Sequence, residues 1–251
     1  MATNALAEAR LTTTQKSAAA RRKLPWPFEF YRSSVGKKWV MAVTGIVLLG
    51  FLLVHMIGNL KLYVGPKAIN DYGEALRDLG SALAPRTHVL WAIRCVLIVS
   101  FALHMHASYA LTRVNWKARS GGYSRRDYIA ASYASRTMRW TGVIVGFFIL
   151  FHLADLTWGT EHVAVGGFAR GDVYGNLVAS FERLPVAIFY VVANLLLGLH
   201  VYHGTWSLFQ SLGWNHPRFN QWRRYAAVAF TVVVIGGNLS FPIAVQAGLV
   251  G

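Results

Sequence analysis

Six histidines lie in stretches of sequence that are otherwise nearly free of charge: His55, His104, His106, His152, His200 and His203. Neutral imidazole is a good ligand for iron. A single buried histidine ordinarily just hydrogen-bonds a neighbour. Ionisable groups inside an apolar span are costly and default to function, and here four separate spans carry them. Two imidazoles on facing helices supply both axial ligands of a six-coordinate haem iron. The other chemistry open to such histidines is proton relay in a transporter. Transporters show repeats and broken helices, and neither is read in this chain. Two more groups belong with the histidines. Asp155 follows His152 by three residues and shares its helical face. Cys95 is the only cysteine, so the chain forms no internal disulfide and supplies no Cys-rich zinc or iron–sulfur site of its own.

The elements that position these residues follow from hydropathy. Of 251 residues, 55% are hydrophobic and only 14% charged, against about 25% charged in soluble domains. Five stretches match the roughly 20 apolar residues that a bilayer span requires: 39–62, 88–111, 140–158, 184–209 and 226–247. The expected fold is all-α and integral to the membrane, a bundle of five transmembrane helices over 39–251. A basic segment, 1–38, precedes it. No cleaved secretory signal is read there. Trp26, Phe28, Phe30 and Tyr31 suit a membrane interface.

Lys and Arg number 25 against 10 Asp and Glu, a net charge of +15. The basic residues flank apolar runs, which fits membrane topology and not nucleic-acid binding. They collect in the N-terminal tail (Arg10, Lys16, Arg21, Arg22, Lys23, Arg32, Lys37, Lys38), after the second span (Arg113, Lys117, Arg119, Arg125, Arg126, Arg136) and after the fourth (Arg218, Arg223, Arg224). The positive-inside rule then puts the N-terminus in the cytoplasm and the C-terminus outside. The other two loops are nearly neutral.

With that orientation and a rise of about 1.5 Å per residue, the histidines sort by depth. His55 and His152 fall in the outer half of the bilayer, and His104 and His200 in the inner half. Two facing pairs would stack two haems across the membrane. His203 lies three residues from His200 on broadly the same face, and His106 two residues from His104 on a different one, so the inner ligands remain a choice within each couple. Gly45, Gly50, Gly142 and Gly198 would admit a flat macrocycle or simply let helices pack.

Several blocks carry a family resemblance. They are Ser33-Ser34-Val35-Gly36-Lys37-Lys38, Met41-Ala42-Val43-Thr44-Gly45, Phe51 to His55 and Gly58-Asn59-Leu60. Phe101-Ala102-Leu103-His104, Arg136 to Gly142 and Phe151-His152-Leu153 follow, then Gly198 to Gly204 and Ser207 to Gly213. In this order the chain resembles the single-chain, five-helix cytochrome b anchor of succinate dehydrogenases and fumarate reductases. The resemblance implies haem b ligated by His55, His104, His152 and His200 or His203. It implies an FAD-containing flavoprotein and an iron–sulfur subunit docked on the cytoplasmic face, a bacterial inner membrane, surrounding lipid and a higher oligomer. The dicarboxylate site would lie on a partner chain, and electrons would pass to a quinone, expected to be menaquinone. Direction, succinate oxidation or fumarate reduction, is open. Ser33, Ser34, Lys37, Lys38 and Trp39 are candidate quinone contacts, with Glu74 a proton source should the quinone bind at the outer side.

One departure matters. The family pattern places a further histidine near the position of Asp155. His55, His152, Asp155 and Cys95 all fall in the outer layer and could form a mixed ligand set for a [2Fe–2S] cluster in place of the outer haem. Cys95 and His104 are nine residues apart, on opposite helical faces. Cys95 therefore points away from the centre, or His106 is the inward histidine, or the helix kinks. An ion pair with Arg94 is the alternative role for Asp155.

Overall fold

The computed structural model describes residues 25–118, 133–214 and 216–251. Arg10, Lys16, Arg21, Arg22, Lys23, Arg119, Arg125 and Arg126 of the basic segments lie outside them, as does the side chain of Arg136. The described residues form eight α-helices: α1 Trp26–Arg32, α2 Ser34–Asn59, α3 Pro66–Arg77, α4 His88–Lys117, α5 Tyr133–Leu153, α6 Val173–Glu182, α7 Leu184–Ser211 and α8 Asn220–Gln246. Short 3-10 turns follow α2 and precede α8, and a π-helical turn, Ala154–Trp158, continues α5.

Five segments are long and apolar enough to cross a membrane: Ser34–Val64, His88–Lys117, Thr137–Trp158, Leu184–Ser211 and Asn220–Gln246. The described residues are thus all-α, with five candidate membrane spans. The helices overrun the apolar stretches at their basic ends, because nothing in Ser34–Lys38 or Thr112–Lys117 breaks a helix. A cap, and not hydropathy, sets the start of α2: the Ser33 hydroxyl accepts from the Gly36 amide at 2.8 Å. Large apolar side chains such as Val54, Val99, Phe147, Val192 and Val232 face outward along the bundle, as a hydrocarbon surround requires.

The neutral loops are not loops. They fold as α3 and α6, which dock on one another over one end of the bundle. Gly65, at φ +117°, turns the chain into Pro66 at the start of α3. Asp172 caps α6 by accepting from the Gly175 amide at 2.9 Å. Asn70 joins the two helices, donating to Asp172 at 3.1 Å and accepting from the Tyr174 amide at 3.0 Å. The main buried core gathers here, with Leu62, Ile69, Leu177, Phe181, Tyr190 and Phe241.

Helix α2 packs on α4, α5 on α7 and α7 on α8, while α2 also meets α7 and α8. Small residues allow the closest approaches. A Cβ on Gly198 would sit 3.4 Å from Ile235, and one on Gly237 only 2.5 Å from the Met56 sulfur. Gly198 therefore serves helix packing and does not face a histidine. Gly50 has no such neighbour.

Charge divides the two ends. The ion pairs formed between described residues all lie at the α3/α6 end: Lys67–Asp71, Arg77–Glu74, Arg86–Glu74, Arg86–Asp78, His162–Glu161 and Arg183–Asp155. The opposite end gathers the basic residues, and Glu29 is its one described acid.

Candidate metal centres

The helix pairing brings four histidines together two by two. His104 of α4 faces His200 of α7 with ring centres 6.4 Å apart and planes at 62°. His55 of α2 faces His152 of α5 at 5.8 Å and 86°. A metal ion about 2 Å from each ring nitrogen, with about 1 Å more to each ring centre, separates two such rings by about 6 Å. Both pairs are near that spacing, so these residues fit axial ligation of haem iron.

The hydrogen bonds decide which nitrogen is free. His104 Nδ1 is 3.1 Å from the Met41 carbonyl. A carbonyl only accepts, so Nδ1 carries the proton and Nε2 keeps its lone pair. The Thr44 hydroxyl adds a 3.3 Å contact to the same Nδ1 and donates to the Val40 carbonyl at 2.7 Å. His200 resembles this arrangement: it hydrogen-bonds the Met138 backbone, and the Thr141 hydroxyl lies 3.5 Å from its Nδ1. Metal-binding histidines are usually oriented in this way through their second nitrogen. Gly45 and Gly142 flank the same rings: a Cβ there would lie 3.6 Å from His104 Cε1 and 3.4 Å from His200 Cε1.

Here the structure corrects the reading that the chain has no repeat. Met41-x-x-Thr44-Gly45 on α2 recurs as Met138-x-x-Thr141-Gly142 on α5. Six residues after each glycine comes a phenylalanine, Phe51 or Phe148, and four further on a histidine, His55 or His152. Each phenylalanine packs on its histidine, at 5.3 Å and 6.0 Å between ring centres. On both helices the outer histidine therefore follows the threonine that touches the inner one by eleven residues, about 16 Å along the axis. The recurrence was visible in the sequence as Met-x-x-Thr-Gly with a histidine ten residues beyond the glycine.

The pair nearer the α3/α6 end, His55 and His152, called the outer pair after its expected depth, is held differently. His152 Nδ1 lies 3.3 Å from the Tyr190 hydroxyl, which donates to Asp155 at 3.0 Å. Asp155 is 1% exposed. It also accepts from Ser180 at 2.5 Å and from Arg183 Nη2 at 2.6 Å. Because Tyr190 spends its proton on the carboxylate, its oxygen accepts from His152 Nδ1–H, and His152 Nε2 is free. His55 is the exception: its Nε2 meets the Asn59 amide at 3.2 Å, so ligation through Nε2 requires Asn59 to release it.

Other candidates lie elsewhere. His203 stacks edge-on with Trp206. His106 is exposed, with its Nδ1 2.5 Å from the Tyr31 hydroxyl on α1. Burial pushes the Tyr31 phenol above its ordinary range. Cys95 is exposed. It points away from the bundle, as its nine-residue offset from an inward His104 demands. Arg94 is also exposed and stacks on Trp91. The partner of Asp155 is therefore Arg183, not Arg94, and the four-ligand set with Cys95 is not assembled. Among the described residues no three His, Cys, Asp or Glu side chains come together to hold a metal ion.

The quinone candidates are split between the ends. Ser33 is engaged as the α2 cap and donates to the Phe30 carbonyl at 2.7 Å. Ser34, Lys38 and Trp39 are exposed beside it, and Lys37 donates to the Arg32 carbonyl at 2.6 Å. Glu74 lies beyond the far end of α2, whose 26 residues span about 39 Å. There it pairs with Arg77 and Arg86. Hydrogen bonds to Asp78 and Glu74 hold the Arg86 guanidinium above its usual range.

Sequence reasoning missed Tyr190, Ser180 and Arg183. A tyrosine in an apolar span, with a Ser-x-x-Arg ending seven residues ahead of it, was the available signal. No significant match was found among the curated proteins or among the solved structures. One family model does match, over residues 125–237: that of the succinate dehydrogenase/fumarate reductase transmembrane subunit. The matched stretch includes the helices that hold His152 and His200.

Proposed function

We propose that the chain is the cytochrome b anchor of a succinate:quinone oxidoreductase, through which electrons pass from an iron–sulfur subunit to a membrane quinone. His104 with His200, and His55 with His152, each hold one haem b. Bound there, haem iron supplies one-electron redox chemistry at two depths. The chain's own residues orient the ligands: Met41 and Met138 carbonyls and the two threonines at the inner pair, Tyr190 at the outer. The single observation carrying this reading is the spacing of the facing imidazoles, 6.4 Å and 5.8 Å. The exposure of Cys95 and the three protein partners of Asp155 favour a haem over a mixed-ligand cluster at the outer pair.

The basic α1 end faces the cytoplasm of a bacterium in this proposal, by the positive-inside rule. The flavoprotein and iron–sulfur subunits dock there, and the dicarboxylate is handled on the flavoprotein. Menaquinone is the expected acceptor, with fumarate reduction the reverse use of the same chain. Reduced-minus-oxidised spectra with iron and haem stoichiometry test the reading. Two b-type haems per chain are expected; a chain with no b-type band, as a transporter would be, refutes it.

A further inference from the structure

The Asp155 network is larger than a buried ion pair needs to be. The π-helical turn Ala154–Trp158 begins directly after His152 and Leu153 and carries Asp155; such turns recur at functional sites. Asp155 receives three donors, Arg183, Ser180 and Tyr190. Arg183 is fixed in turn by the Val163 carbonyl at 2.9 Å and by Ser180 at 3.0 Å. Of the three donors only Tyr190 also reaches a histidine. Packing holds Tyr190 in place, with the rings of Phe148 and Phe181 edge-on at 5.2 Å and 4.9 Å.

We infer that Tyr190 and Asp155 are positioning residues for the outer centre, coupling a buried carboxylate to the metal ligand His152. This rests on the reading of His152 as a ligand, and it goes beyond that reading by giving the two pairs different potentials. The chain runs His152 Nδ1–H to Tyr190 oxygen and Tyr190 O–H to the Asp155 carboxylate. It fixes the ring plane and tautomer and pulls the Nδ1 proton away from the ring. A histidine polarised in this way is a stronger donor, which favours the more positive, oxidised metal. Among the described residues the inner pair hydrogen-bonds only neutral backbone and hydroxyl groups. The outer centre is therefore held lower in potential than its histidines alone would set it.

The test is a redox titration of the intact complex, followed optically and by electron paramagnetic resonance, with Tyr190→Phe. This variant removes one hydroxyl and keeps the ring packing. At a fixed poise, the reduced-to-oxidised ratio of the outer centre should rise about tenfold, equivalent to about 59 mV for one electron. The inner centre should not move and reports that the variant has folded. Ser180→Ala, which takes one hydrogen bond from Asp155 without touching Tyr190, should shift the outer ratio the opposite way by less, because a carboxylate with one donor fewer pulls harder on the Tyr190 proton. Outer ratios unchanged in both variants, with both centres present, overturn this inference and leave the ligand assignment standing. A wild-type complex lacking a centre that His152→Ala removes overturns the ligand assignment and this inference with it.

Discussion

The two histidine pairs have the same spacing and are held by different means. His104 and His200 take their orientation from a local device, a backbone carbonyl and a threonine of one Met-x-x-Thr-Gly motif each, supplied by the neighbouring helix. The device occurs twice, so the inner pair is nearly symmetric. His55 and His152 have unlike partners. Asn59 one turn away serves the first. A network reaching through Tyr190 to Asp155 and Arg183 serves the second. A repeated motif can duplicate a histidine and the contacts its own residues make. It cannot duplicate support that comes from elsewhere in the fold, and the two halves diverge at that point.

The strongest way to separate the pairs is to remove one histidine from each. His200→Ala and His152→Ala should each cost one of two redox centres, and a different one, seen as distinct missing components in reduced-minus-oxidised spectra. If either variant abolished both centres, the two levels would not be independent. Next in size is the buried charge. Arg183→Leu leaves Asp155 without its cation and should cost about 3–5 kcal/mol of stability, read as a lowered thermal midpoint of the solubilised complex. No charged group supports the inner pair, so no substitution of its threonines should approach that loss.

The motif's symmetry gives a smaller effect. Thr44→Val and Thr141→Val should weaken retention of the inner centre equally and leave the outer one unchanged, as measured by cofactor loss on dilution. Each should stay below the roughly 10–100-fold cost typical of an outer-shell partner, because the methionine carbonyl still holds Nδ1. Unequal losses would show that the repeat is no longer functionally symmetric. The smallest effect belongs to Asn59→Ala. If His55 ligates through Nε2, the Asn59 bond is given up on loading, and cofactor stoichiometry should be unchanged. Loss of the outer centre would show that Asn59 holds His55 in place instead.

The ends of the molecule were unequally legible. The five long helices could be read from hydropathy, because about 20 apolar residues have few other uses. The loops could not. Segment 66–77 is polar and its helicity depends on Gly65 and Pro66 together, and α6 is helical because Asp172 caps it and the bundle buries Leu177 and Phe181. The family match covers 125–237 and leaves α2 and α4, with His55 and His104, outside it. The Thr-Gly and histidine recurrence relates α2 to α5, which lies inside the match.

The five spans and the sorting of the histidines into two layers followed from the sequence, because helical rise is fixed and apolar length is bounded by the bilayer; the repeat was read only once the fold set Thr44 and Thr141 against their histidines. Which histidine of each couple faces the bundle depended on packing. Two residues of separation turn a side chain through more than half a circle, so His104 meets His200 while His106 meets Tyr31. The fate of Asp155 also had to wait for the fold. Its three donors come from 25 to 35 residues away, and only the docking of α6 and α7 against the π-helical turn brings them to it.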